Sequence, residues 1–294
     1  MTTRAPFVAP TIQVKIPWRE IEAHDRWDAG YFQEHFRQNE RKLRKLGGVP
    51  LGNFIPEELP DGSKGITYGQ VGARKLSPRG EVRYLQVINI RDTGIDFAIK
   101  PDRVAEGSHN DPQRSRVIRG DILLTNTAFR GTETLMGRCV VVSRDFGKLN
   151  ISQDIDRIRV ERINSYFVGA FLKTKFGQLQ IQRVVHGVDS QKINFSHVRD
   201  ILIAVPPASV QKEVEKQYLE MSRCHDRGMA IKEDILVSDD VDPGRYGAAI
   251  NDLANESGRY KRAMTEAAER LKHLIGELEA VLEGEQKKLR PFAS

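Results

Sequence analysis

Between residues 26 and 46 the apolar positions Trp27, Tyr31, Phe32, Phe36, Leu43 and Leu46 fall near a helical period. Gly47-Gly48 and then Pro50 supply a stop, so the spacing predicts one amphipathic helix there. From about residue 49 to 205 the pattern shortens to β-branched runs separated by turn formers. These are VRYLQVINI at 82–90, GDILLT at 120–125, RCVVVS at 138–143, DRIRVERI at 156–163 and RDILIAV at 199–205. They predict the strands of a curled, mixed sheet. A helix over 165–182 is predicted behind an N-cap at Ser165, with Tyr166, Phe167, Ala170, Phe171, Thr174 and Gln178 on one face.

Pro206-Pro207 ends this block, and Val210, Val214, Tyr218 and Met221 then mark one side of a helix over 208–237. The stretch SDDVDPGRYGAAINDLANESG at 238–258 is acidic and rich in turn formers, which predicts a linker or an ordered loop. Beyond it, Met264, Ala267, Leu271, Leu274, Leu278, Val281 and Leu289 approach a heptad spacing, interrupted at Glu285. The expected fold class is therefore α+β. An N-terminal segment and entry helix (1–48) precedes one domain on a curled mixed β-sheet (49–207). A helix (208–237), the acidic linker (238–258) and a C-terminal coiled-coil helix (259–294) follow. No internal repeat is present, so the globular unit occurs once.

Composition narrows the class. Hydrophobic residues make up 39% and charged residues 29%, and no apolar run reaches the ~18 residues that would span a bilayer, so a soluble protein without membrane contact is expected. The N-terminus lacks a secretory pattern, and only two cysteines, Cys139 and Cys224, occur, far apart; a cytoplasmic location fits. The net charge of +6 is unevenly spread. Residues 61–205 hold 23 Lys/Arg against 15 Asp/Glu, a balance of +8, whereas 232–257 hold two against seven, a balance of −5. A positive charge concentrated on one unit is the footprint of a surface that neutralises phosphates.

No enzymatic signature accompanies that charge. The only Pro-Pro sits in Val205-Pro206-Pro207-Ala208, where valine and alanine cannot hold and stack a target base, so a methyltransferase motif is absent and the helix-breaking role suffices. Glu81-Val82-Arg83 lacks the lysine of a metal-dependent nuclease and reads as a solvated strand face. Cys224-His225 has no second cysteine at ligand spacing, and His186 and His197 read as turn or surface residues, so no metal and no cofactor is expected. Walker and Gly-x-Gly-x-x-Gly loops are missing, which leaves a non-catalytic chain.

Three polar stretches suit recognition instead. The loop Thr125, Asn126, Thr127, Ala128, Phe129, Arg130, Gly131, Thr132 offers hydroxyls, an amide, an aromatic ring and a guanidinium where a strand ends, with Arg138 just beyond. Arg91, Asp92 and Thr93 follow another strand. His186 to Lys192, including Ser190, Gln191 and Lys192, places hydroxyl, amide and cation between two ordered segments. The expected DNA contacts are Arg91, Thr93, Thr125, Asn126, Thr127, Phe129, Arg130, Thr132, Arg138, Ser190, Gln191 and Lys192.

These segments occur in a familiar order: RWDAGYF at 26–32, YLQVINI at 84–90 with Gly94-Ile95, VIRGDILL at 117–124, GRCVVV at 137–142 and NISQD at 150–154. FLKTKFGQLQIQ, HGVDSQKINFSHVRDILIAV, Pro206-Pro207 and Gln211-Lys212-Glu213-Val214 close the series. Residues 26–205 thus resemble the target recognition domain of the specificity subunit of type I restriction-modification enzymes. The individual motifs are weak and their joint order is specific. The resemblance implies a phage-defence role: a single-domain half-subunit that reads double-stranded DNA for a methyltransferase subunit and a restriction subunit. S-adenosylmethionine would belong to the methyltransferase. It also implies C-terminal helices that hold two such domains apart by self-pairing or by pairing with another half-subunit. A helix from Met264 to Leu289 would extend about 39 Å, close to one turn of duplex DNA. Family members usually carry two recognition domains in one chain, and this chain has one. The alternative reading is a coiled-coil adaptor of a defence complex whose basic domain contacts RNA or protein.

Overall fold

The computed structural model describes residues 15–24, 28–70, 76, 79–127, 136–185, 192–238, 254–255 and 257–292. Alternation along its strands builds a sheet that is apolar on both faces. The strands β1 (Val49–Pro50), β2 (Ile66–Tyr68), β3 (Val82–Leu85), β4 (Arg103–Val104) and β5 (Ile122–Thr125) are followed by β6 (Cys139–Val141), β7 (Leu149–Ile151), β8 (Ile155–Ile158) and β9 (Leu202–Ile203). The central sheet runs β2-β8-β5-β6, all antiparallel, with Ile66 and Ile122 opposite Ile158, and Tyr68 and Leu124 opposite Asp156. Ile66, Ile122, Leu124, Cys139, Val141 and Ile158 consequently point to one face and join the larger core. Leu123, Val140 and Ile155 point to the other and meet the sheet β4-β3-β7, in which β3 and β7 are parallel. β1 and β9 form a separate antiparallel pair.

Helices cover the first face. They are α1 (Trp18–His24), α2 (Glu34–Lys45), α3 (Ser165–Lys173), α4 (Lys175–Val185), α5 (Phe195–Asp200), α6 (Ala208–Ser238) and α7 (Gly258–Leu282). The architecture is α+β, with long C-terminal helices beside an open, mixed sheet system. α3 is buried all round because it lies between the sheet, α4 and α6. α6 presents Val210, Val214, Tyr218 and Met221 to the core, as the periodicity predicts. α7 returns antiparallel along α6, joined by Arg227–Glu266 at 2.9 Å and Arg270–Glu220 at 3.4 Å.

Several boundaries differ from expectation, each for a local reason. The entry helix starts at Glu34, because Asp28 Oδ1 accepts the Tyr31 N–H at 2.8 Å and holds a turn; α1, tied by Glu20 to Arg37, was not foreseen. The run 82–90 leaves strand geometry after Leu85. Asn89 Oδ1 accepts the Gln86 N–H, and its buried Nδ2 donates to the Asp96 and Lys100 carbonyls, which folds residues 87–89 into a 3-10 turn. The helix expected over 165–182 is two helices, since Thr174 Oγ1 donates to the Phe171 carbonyl at 2.6 Å and accepts the Gly177 N–H. Its N-cap is Asn164, not Ser165. α7 stops at Leu282, ahead of Gly284 at a φ of +80°. The chain then turns back so that Leu289 is buried in the core and Arg290 pairs with Glu277. The continuous helix to Leu289 is thereby replaced by a 25-residue helix of about 37 Å. The acidic linker lies almost wholly outside the described residues, and no described helix is long and apolar enough to cross a membrane.

Candidate nucleic-acid interface

The three polar stretches come together at the end of the β5–β6 hairpin. Thr127 forms an antiparallel bridge with Lys192, and Ile193 N–H donates to the Asn126 carbonyl at 2.8 Å, so the stems of two predicted loops are paired. On the returning stem, Thr125 N–H donates to the Arg138 carbonyl at 2.9 Å, and Arg138 Nε lies 3.8 Å from Asp92 in the third stretch. Lys173 Nζ fixes that stretch further by donating to the Asp92 carbonyl at 2.7 Å. Arg91, 3.8 Å from Asp96, stands beside it. Three segments remote in sequence therefore flank one end of the central sheet, with Lys192 exposed and Arg91 and Arg138 partly so.

The candidate residues divide by burial. Thr125 and Asn126 are fully enclosed, contrary to the expectation of surface contacts: Thr125 Oγ1 donates to the Arg138 carbonyl, and Asn126 Nδ2 donates to Asp156 Oδ1 at 2.6 Å. Thr127 is partly exposed, and its Oγ1 donates to Asn126 Oδ1 at 2.7 Å. Thr93 is buried too, its hydroxyl 2.8 Å from His225 Nδ1. Because His225 Nε2 faces the Ile95 carbonyl at 3.2 Å and must donate to it, Nδ1 accepts from Thr93. Burial depresses the His225 pKa and keeps the ring neutral. Thr93, Thr125 and Asn126 thus shape the loop stems rather than face solvent. Phe129, Arg130, Thr132, Ser190 and Gln191 lie outside the described residues.

Two neighbourhoods escaped the sequence reading. Beside the Thr127–Lys192 bridge, Tyr68 from β2 and Phe195 from α5 meet with centroids 5.6 Å apart, next to Asp156 of β8. Burial raises the Asp156 carboxyl to about 7, against the opposing hydrogen bond from Asn126 and the field of Lys192. Burial likewise raises Asp154, opposed by the Thr127 hydroxyl and Lys192. Strand alternation alone would have marked Asp156 as solvated, since its partners arrive from residues 68, 126 and 195. The other neighbourhood is the seam with the helical pair, a cavity of about 580 Å³ bordered by Arg91, Arg138, Tyr260, Met264, Leu271 and Ile275. Asp96, in the lining of that cavity, receives Lys232 Nζ, fully buried on α6, on its Oδ2 at 2.8 Å. Gly94 packs so closely that a Cβ there would lie 2.2 Å from His225 Cδ2. Loop 91–96 is thereby seated on α6.

Among the described residues, no cluster of His, Cys, Asp or Glu is arranged to hold a metal ion, and Cys139 and Cys224 are both buried and unpaired. No protein-family model matches the chain, and no curated protein matches it. Among solved structures, similarity is found to the crystal structure of a type I restriction-modification system S subunit from M. genitalium. The identity is 12%, the TM-score is 0.38, and the match covers 65% of this chain and 41% of that chain. The chain thus matches less than half the length of that subunit.

Proposed function

We propose that this chain recognises double-stranded DNA by sequence through the loop-bearing end of its central sheet, and directs a partner methyltransferase to the site. The observation that carries the reading is the placement of Thr127, Lys192, Arg138 and Arg91, from three separate segments, at one end of the sheet in a unit with an excess of positive charge. A base-reading surface needs cations that anchor phosphates and side chains held at fixed relative positions, and strand stems locked by backbone hydrogen bonds meet the second requirement. On this reading the chain would act without a catalytic group of its own. Chemistry would belong to the methyltransferase, with its S-adenosylmethionine, and to a restriction nuclease or another defence effector. This partner assignment follows the resemblance of residues 26–205 to a specificity subunit. The α6–α7 pair is the docking element and the spacer toward a second copy.

Selection from a randomised duplex library, followed by binding across a salt series, tests the reading. A defined motif is expected, with affinity falling steeply as salt rises. Lys192→Ala and Arg138→Ala should each reduce the salt slope by about 1 if they anchor phosphates, or cost about 1–3 kcal/mol at one base position if they read it. Equal affinity for every duplex, or none, would overturn the proposal. Co-purification with a methyltransferase and mapping of methylated sites check the partner.

A further inference from the structure

Next to the paired loop stems is a cavity of about 340 Å³, within the range of small-molecule sites. Its lining combines three chemistries. Tyr68 and Phe195 form an aromatic wall. Asn126 and Asp156 are enclosed polar groups in the lining, exposed by 1% and 0%. Asp156 Oδ1 accepts from Asn126, while Asp156 Oδ2 has no hydrogen-bond partner among the described residues. Lys192, exposed, places its Nζ 5.6 Å from the Tyr68 ring centroid.

Leaving an enclosed oxygen without a partner is unfavourable, and a ligand that reaches it recovers that loss. With its carboxyl raised to about 7, Asp156 offers Oδ2 as acceptor or, once protonated, as donor near neutral pH. An inorganic anion would use Lys192 and leave the rings and the carboxyl idle. An apolar molecule would use the rings and leave Asp156 unpaired. A planar nitrogen heterocycle with an anionic tail uses all three, because bases stack on aromatic side chains and present hydrogen-bonding edges. We propose that this pocket holds the base of an unpaired nucleotide, stacked against Tyr68 and Phe195 and hydrogen-bonded by Asp156, with its phosphate toward Lys192. Two sources share that chemistry: a nucleotide swung out of a duplex, and a free mononucleotide. The inference extends the duplex reading without resting on it.

The experiment titrates the full chain with AMP, CMP and ribose 5-phosphate by calorimetry, and with duplexes that are fully paired or carry one bulged nucleotide. At least one mononucleotide should bind about tenfold or more tightly than ribose 5-phosphate, or the bulge should raise duplex affinity by a similar factor. Asp156→Leu and Tyr68→Leu should each abolish that gain. Tyr68→Leu, at a partly exposed position, provides the test should Asp156→Leu not fold. A mononucleotide gain without a bulge gain identifies the free nucleotide as ligand, and a bulge gain identifies the extruded base. Failure of the paired duplex to bind would remove the duplex reading and leave the pocket standing. No gain in either arm, or a gain that survives in a folded variant, would overturn the inference.

Discussion

Lys232 lies on α6 with no solvent exposure, its ammonium 2.8 Å from an Asp96 carboxylate that also accepts the Ala98 and Ile99 N–H groups. A buried pair of this kind adds little over an apolar pair, but breaking it strands a charge. Lys232→Met is expected to lower unfolding free energy by about 3–5 kcal/mol in urea titrations, and adding Asp96→Asn should recover most of that loss. An unchanged midpoint in the single variant would contradict the burial of this ammonium. Nothing near Lys232 in sequence signals its partner, which lies 136 residues earlier. Thr93, Thr125 and Asn126 were misjudged for the same reason. Their polar chemistry was visible, but burial is decided by segments that arrive from elsewhere. Lys192 is exposed beside its bridge to Thr127.

At the scale of elements, β6 is one of the two edge strands of the central sheet, and an edge exposes unpaired backbone groups. Here α6 covers it: the Tyr218 hydroxyl accepts the Val141 N–H at 2.9 Å, while Lys173 donates to the Cys139 carbonyl. Tyr218→Phe leaves that N–H buried without an acceptor and should cost about 1–3 kcal/mol in chemical denaturation, with secondary structure retained in circular dichroism. The existence of α6 was legible because Val210, Val214, Tyr218 and Met221 keep one period. The breaks at Gln86, Thr174 and Gly284 were not, since side-chain hydrogen bonds to the backbone and a left-handed glycine interrupt patterns that apolar spacing alone would continue. Tyr68 and Phe195 went unnoticed because each sits in a short element with too few residues to show periodicity.

For the whole molecule, the ionisable groups set opposite pH demands. Asp156 titrates higher in the folded chain, at about 7, than its ordinary carboxylate value, so the stability tied to its proton is complete at acid pH and is lost as pH rises toward 7. Asp156→Asn should therefore gain stability relative to the unaltered chain between pH 5 and pH 8, by about 3 kcal/mol at most, read from melting temperatures at the two values. A constant difference would show that Asp156 is ionised throughout. Glu277 behaves in reverse. Burial works against its charge, but the donors of Arg290 and Gln286 outweigh it and hold the carboxyl at about 2, so its contribution persists until strongly acid pH. The fold class and the positively charged unit were both legible in the sequence, because strand runs, helix spacing and charge are local sums. How three loops flank one end of the sheet was not, since that depends on the strand order β2-β8-β5-β6.

α6 is fastened to the rest of the protein along most of its length, from Val210 and Tyr218 in the core to His225 and Lys232 under loop 91–96. Over those 23 residues, about 34 Å of helix, the contacts leave no place for a swivel. If a partner subunit grips the helical pair, as proposed, it would also aim the loops, as a spanner turns the bolt it holds. On that proposal the angle between a bound partner and DNA would be inherited from this seat rather than found anew at each encounter.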